Sequence, residues 1–319
     1  GNYSLVGVTE SGTPGDLLRG KSDKDARLRL QTLVSEWLKM ENLVVLAGAG
    51  TSVDQGGKIL NQLEVEVFNT ILAHPDLPKS IAALVNSRIK GQTGIGFEDW
   101  LSYVSNVSHL QNSVLSPIEN VFWKEGADIS SNDLSWLVRV ISQSILMECS
   151  LELEDQDDGN VNSHTSFLSK MIARDNSLGR AHLFTLNYDT LFEQAADRLS
   201  IHLFDGFTGK AEARFDPSIY GLDIYYPGEV AEGRVRRIEK FLHLYKLHGS
   251  IHWYLDKEEV KARHSDIKLT RHYHKLDYKQ KAEFIKNNDM SICNILPTSN
   301  KFRQTLSMPY AQLFRNFQI

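Results

Sequence analysis

The chain of 319 residues contains only two cysteines, Cys149 and Cys293. Two thiols cannot build a four-thiolate zinc site and are too few for a disulfide framework, so a reducing cytoplasm is the expected compartment. Also missing is any run approaching the roughly 20 apolar residues of a membrane helix. The longest candidate, Leu137 to Met147, is broken by Arg139, Ser142, Gln143 and Ser144. The opening Gly1-Asn2-Tyr3-Ser4 lacks the basic-then-apolar layout of a secretion signal. Nor is there an excess of positive charge: 35 Lys and Arg stand against 40 Asp and Glu, a net charge of −5. This mild acidity gives no electrostatic ground for whole-chain binding to nucleic acid or to an anionic membrane. What is present is ordinary globular composition, 41% hydrophobic and 24% charged, in a chain long enough to bury a conventional core.

Residues 1–22, rich in Gly, Ser and Thr with Pro14, read as a flexible arm ahead of a single domain over 23–319. A helix is expected from Asp23, with Leu30, Leu33, Val34, Trp37 and Leu38 on one face. Leu43 to Ala47 is a short strand apolar on both faces, the mark of a parallel sheet covered by helices. The stretch 58–150 reads mostly helical, although Leu63 to Val67 also alternates like a strand, and it is too long for a simple crossover. We read it as a helical insertion beside the sheet. Glu152 to Asn160 reads as a solvated acidic loop. Further strands are expected at 182–186, 201–204, 241–247 and 291–296, with a helix from Thr190 to Leu199. Strands separated by helices argue an α/β fold with a mainly parallel sheet. Tyr310, Leu313, Phe314 and Phe317 recur at helical spacing up to Ile319, and we expect the natural chain to continue beyond it.

Three loops each follow an expected apolar strand. Gly48-Ala49-Gly50-Thr51-Ser52 would let backbone N–H groups approach a phosphate. A tight structural turn accounts for the same residues equally well, and Val53 stands where the dinucleotide fingerprint needs a third glycine. In Thr185-Leu186-Asn187-Tyr188-Asp189, Asp189 reads by default as a helix N-cap. Asn187 at the end of a buried strand needs polar partners, which ribose hydroxyls or a held water would supply. Lys246-Leu247-His248-Gly249-Ser250 places an imidazole at a third strand end. Ligands of open parallel sheets bind at that edge, so if the strands are parallel the loops meet on one rim.

In order, Gly48 to Ser52, Thr185 to Asp189 and Leu247 to Ser250 resemble the three signatures of the sirtuin superfamily. They are similar above all to the sirtuin-like domains of bacterial antiphage defence systems. Asp205-Gly206-Phe207, Ser250 to Trp253, Pro297-Thr298, Lys301 and Pro309-Tyr310 extend the resemblance over about residues 40–319. It implies a Rossmann-like α/β domain that consumes NAD as substrate. It further implies Asn187 and His248 as catalytic residues, the one on ribose or a water and the other as base. Gly48, Ala49, Gly50, Thr51, Ser52, Tyr188, Asp189, Gly249, Ser250 and Thr298 would then contact NAD. Deacylating sirtuins carry a four-cysteine zinc module, which two cysteines cannot supply, so neither zinc nor any other metal is expected. They also follow the glycine loop with Gly-Ile-Pro-Asp-Phe-Arg, where this chain has Asp54-Gln55-Gly56-Gly57-Lys58. Both losses remove the grounds for acyl-lysine peptide binding and leave the NAD half of the machinery.

The expected function is therefore an NAD glycohydrolase that yields nicotinamide and ADP-ribose and depletes NAD in a defence response. Such an activity would have to be gated, by a homo-oligomer or by a partner such as a HerA-type ATPase or another defence-system subunit. Two rivals stand beside it. One is a non-catalytic module sensing NAD or ADP-ribose. The other is a subunit of a nucleic-acid-processing complex, suggested by Arg234, Arg236, Arg237 and Lys240 and by the run from Lys257 to Lys279. That basic stretch also reads as a solvated hairpin or loop, and the metal pair offered by His272 and His274 has no identifiable third ligand.

Overall fold

Four short apolar segments pair side by side and in parallel to make the central sheet of this computed structural model. It describes residues 6–8, 14–16, 18, 20–90, 95–111, 129–155, 161–175, 177–227, 237–263, 272–288, 292–299 and 301–318. The sheet strands are β3 (Val44–Ala47), β4 (His182–Thr185), β8 (Phe241–Lys246) and β5 (His202–Phe204), in the order β3-β4-β8-β5. One face is covered by α6 (Ser163–Ile172) and α7 (Leu191–Leu199). Leu183, Leu242 and Leu244 of the sheet bury there against Leu168, Met171, Leu191, Phe192 and Ala195. On the other face Phe184 and Tyr245 stack at 4.2 Å and meet Tyr220 and Leu313. The architecture is α/β, as the alternation of strands and helices foretold, and Rossmann-like, as the resemblance implied.

The edge of the sheet departs from expectation. β3 is an end strand, and Val44 and Leu46 are 57% and 52% exposed, so this strand is not covered on both faces. The apolar stripe expected to dock α1 (Asp23–Trp37) is also not buried, since Val34 and Trp37 are exposed and only Ala26 is buried on this helix. The helix is held at its end instead, where Arg174 donates to the carbonyls of Leu38, Met40 and Glu41. Within the N-terminal arm, β1 (Val6–Val8) pairs antiparallel with β2 (Pro14–Asp16), a local pairing its composition does not announce.

The expected strand at 291–296 is real but belongs elsewhere. β11 (Ile292–Asn294) joins β9 (Gly249–Asp256), β10 (Glu259–Ala262), β7 (Ala213–Phe215) and β6 (Phe207–Thr208) in a second, antiparallel sheet. Antiparallel neighbours need only a tight turn, and Lys257, at φ 58°, supplies one between β9 and β10. The basic segments 228–236 and 264–271, with Arg234, Arg236 and His264, lie outside the described residues. His272 and His274 flank the fully buried Tyr273 in a 3-10 turn rather than a strand, and His274 Nε2 bonds the Ser150 carbonyl.

The helical unit contains α2 (Leu60–Leu72), α3 (Lys79–Ile89), α4 (Phe97–Gln111) and α5 (Ser131–Glu148). The ambiguous Leu63 to Val67 is helical because Leu63, Val67, Phe68 and Ile71 form one buried face. Its core takes in Ile285 of α8 (Tyr278–Asn287), and Tyr188, Ile251 and Leu296 reach into it from the sheet side. A buried ion cluster ties these elements together. The Glu148 carboxylate, wholly buried, meets Lys281 at 2.6 Å and Lys58 at 2.5 Å, and Lys281 meets Glu66 at 3.0 Å. Burial alone would raise the Glu148 carboxyl, but hydrogen bonds from His274, Lys281 and Lys58 outweigh it and hold it down at about 2. Among the described residues no helix is long and apolar enough to cross a membrane.

Candidate functional site

Ala47, Thr185 and Lys246 lie in one row, because Ala47 pairs with Thr185 and Thr185 with Lys246 across parallel strands. The three loops singled out by sequence therefore leave the same edge of the sheet. That edge faces the helical core through Tyr188, Ile251 and Leu296.

The glycine loop turns into a 3-10 segment, Ala49–Gln55. Ala49, Gly50 and Thr51 are exposed, and Gly48 is half-buried. A Cβ added at Gly48 or Gly50 would meet nothing within 4 Å, and neither has a positive φ. The protein's own packing therefore does not require glycine at either place; a ligand brought against the backbone would. Gly57 and Gly249 are different. A Cβ on Gly57 would lie 2.7 Å from the Ser52 carbonyl oxygen. Gly249 has φ +89°, and its Cβ would lie 2.1 Å from Asn294 Oδ1.

Asn187, 8% exposed, fastens the second loop to the first. Its Nδ2 donates to the Gly48 carbonyl at 3.1 Å, Thr51 Oγ1 at 3.1 Å and Ser52 Oγ at 2.9 Å. A carbonyl can only accept, so the bond to Gly48 fixes which end of the amide is nitrogen. Oδ1 therefore points away from the loop, and it takes no hydrogen bond among the described residues. Ser52 Oγ passes the chain on to Asp189 Oδ2 at 2.7 Å. The other Asp189 oxygen accepts from the Leu191 amide at 3.2 Å, the helix-start role expected by default.

The third loop is bound to the second through the backbone. The Tyr188 carbonyl accepts from the Ile251 amide at 3.0 Å and from Ser250 Oγ at 3.2 Å. The Tyr188 hydroxyl donates to the Ile295 carbonyl, and the Ile295 amide donates to the His248 carbonyl at 3.0 Å. The rings of Tyr188 and His248 lie 6.5 Å apart, so the imidazole and the Asn187 loop share one side of the molecule. α4 closes over this side. The Ser299 amide donates to Ser102 Oγ at 2.7 Å, and Lys301, at the start of α9 (Lys301–Thr305), pairs with Glu98 at 2.8 Å. Ordinary histidine acidity near 6.5 does not hold for His248. Burial and the nearby Lys301 ammonium lower it to about 4, against smaller opposing effects of Glu98 and the Leu186 backbone.

The structure thus separates the expected site residues by exposure. Gly48, Ala49, Gly50, Thr51 and His248 are exposed or half-buried at this rim. Ser52, Asn187, Tyr188, Asp189, Gly249, Ser250 and Thr298 are buried and brace it. Sequence reasoning passed over Lys246, 1% exposed, whose ammonium meets Glu193 at 2.9 Å and donates to the Asp189 carbonyl. A lysine closing a strand buried at every position was the available signal, since a buried lysine must be paired. Among the described residues no group of three or more His, Cys, Asp or Glu side chains is placed to hold a metal ion.

Compared with known families, residues 181–308 fit the model of the SIR2-like domain. The matched segment contains Asn187 and His248, and it supports a sirtuin-like relationship and an NAD-related function. The glycine loop lies outside it and joins it only through the fold. No curated protein matches the chain.

Proposed function

We propose that this rim binds NAD and hydrolyses its N-glycosidic bond. The observation that carries the reading is the pinned Asn187 amide, whose oxygen takes no hydrogen bond among the described residues, on the same rim as a half-buried imidazole held neutral. The residues present suit such a nucleotide. Gly48 and Gly50 leave their backbone open to a pyrophosphate, and Asn187 Oδ1 accepts from a ribose hydroxyl or from the attacking water.

The chemistry asks little of an acid. As the C–N bond breaks, its electron pair goes to the pyridinium nitrogen and nicotinamide leaves neutral. Water adds to the oxocarbenium-like ribose carbon, and His248 takes the proton that this oxygen releases. Water bonded to so electron-poor a carbon is acidic, so a base at about 4 suffices provided it is unprotonated, as His248 is at neutral pH. General-base assistance of this kind contributes about 10² to 10⁴ in rate.

Incubation with NAD and chromatographic separation of products tests the reading. Nicotinamide and ADP-ribose are expected, with release slowed at least about a hundredfold in His248→Ala and also impaired in Asn187→Ala. Intact NAD throughout, with the chain alone and in its assemblies alike, overturns it. Tight ADP-ribose binding without cleavage would instead identify a sensing module. An NAD hydrolase that is always active would poison its host. We therefore propose a defence effector gated by assembly, with its own copies or with an ATPase partner of HerA type. Light scattering checks this: a strict monomer, fully active alone at micromolar concentration, overturns the gating.

A further inference from the structure

Lys246 spends all three of its N–H donors inside the protein. They go to the carbonyl of Asp189, to the carbonyl of Tyr188 at 3.5 Å and to Glu193 Oε1 at 2.9 Å. The Tyr188 carbonyl also receives the Ile251 amide and Ser250 Oγ, so every donor on it comes from the chain segment that carries His248. Two successive peptide carbonyls are thereby drawn toward β8 and β9. With them turned that way, the side chains of Asn187 and Asp189 face the glycine loop and hold it through Ser52.

Stability alone does not account for a charge in this position. The Lys246 ammonium reaches from β8 to the start of α7, where the helix dipole is positive and a cation is disfavoured. Its counter-ion is imperfectly served too: Glu193 Oε2 is buried with no hydrogen-bond partner among the described residues. Apolar side chains of similar volume commonly replace such a buried pair without loss of stability. What they cannot do is hold two carbonyls.

We infer that Lys246 is a positioning residue that sets the Asn187 loop against the His248 strand, an assignment that rests on the NAD-cleaving reading. It touches neither the nucleotide nor the reacting water. Its effect comes through geometry, and misplacement by about 1 Å can slow a reaction about a hundredfold.

Two variants test this: Lys246→Met, and Lys246→Met combined with Glu193→Leu. The single variant is expected to unfold at lower urea, because it strands a buried carboxylate. The double variant is expected to unfold at higher urea than the single variant, because no carboxylate is stranded. Its kcat for nicotinamide release nevertheless stays about 10- to 100-fold below the parent's, with KM within threefold. A double variant whose kcat returns to within threefold of the parent shows an ion pair that is merely structural, and overturns the inference. If the parent itself leaves NAD intact, the cleavage reading falls separately. The imidazole C–H resonance of His248 then carries the test: it should shift in the double variant, and an unmoved resonance overturns the role of Lys246.

Discussion

Replacing Gly48 or Gly50 with alanine separates what the fold needs from what a nucleotide needs. Gly48 sits at φ −129°, ψ −173°, a conformation open to any residue, and Gly50 lies inside the 3-10 turn. Neither new Cβ would meet an atom within 4 Å. Alanine narrows the unfolded ensemble, so each variant should be as stable as the parent or more stable by about 0.4–1 kcal/mol. Nucleotide binding should move the other way. A hydrogen bond from a backbone amide to a charged phosphate contributes about 1.5–3 kcal/mol, so losing one weakens binding about 10- to 150-fold. Urea unfolding measures the first quantity, and calorimetry with ADP-ribose, which cannot be cleaved at the glycosidic bond, measures the second. Gly249→Ala is the contrasting control, expected to unfold at lower urea because of its φ of +89° and the 2.1 Å approach to Asn294. If both loop variants bind ADP-ribose within threefold of the parent, the space above those glycines is not the nucleotide's.

The pH dependence of kcat/KM should stay flat from pH 8 to about 5 and fall only as pH approaches 4, where His248 takes up a proton; an inflection near 6.5 would contradict the buried imidazole. Stability has its own acid dependence through His243, 4% exposed and lowered from 6.5 to about 4 by burial and by the stacked His182. A base depressed on folding binds its proton more readily in the unfolded chain. Its contribution is thus complete above pH 6.5 and lost as pH falls toward 4, amounting to about 2 kcal/mol by pH 5. His243→Phe, which suits the neighbouring Phe204 and Phe241, should remove that share of the loss; identical losses between pH 7 and pH 5 in parent and variant would refute it.

Much of this was legible before any coordinates. Short apolar runs over 43–47, 182–186 and 241–247 declared parallel strands, and the small and polar residues after them declared a rim. Local pattern could not say who covers whom. The stripe on α1 obeys helical spacing yet stays largely exposed, and β3 is apolar on both faces yet lies at an edge. Amphipathicity shows that a face can be buried, not that a neighbour arrives. The antiparallel assignment of β11 depended on which strand it met, a question of long-range pairing. At the rim, sequence marked the three loops but not which of their side chains are buried. Whether Asp189 and Ser250 line a crevice or brace it depends on which way their oxygens turn, and those of Asp189 turn to Ser52 and Leu191.

The bond between Asn187 and the glycine loop joins positions separated by 139 residues at Gly48 and 135 at Ser52. During synthesis the glycine loop therefore emerges long before Asn187, and the His248 imidazole arrives later still. A truncated product ending anywhere before residue 248 lacks the third loop altogether. On the proposed NAD-cleaving reading this order of manufacture is a safeguard, because prematurely terminated translation yields only fragments without the proposed base.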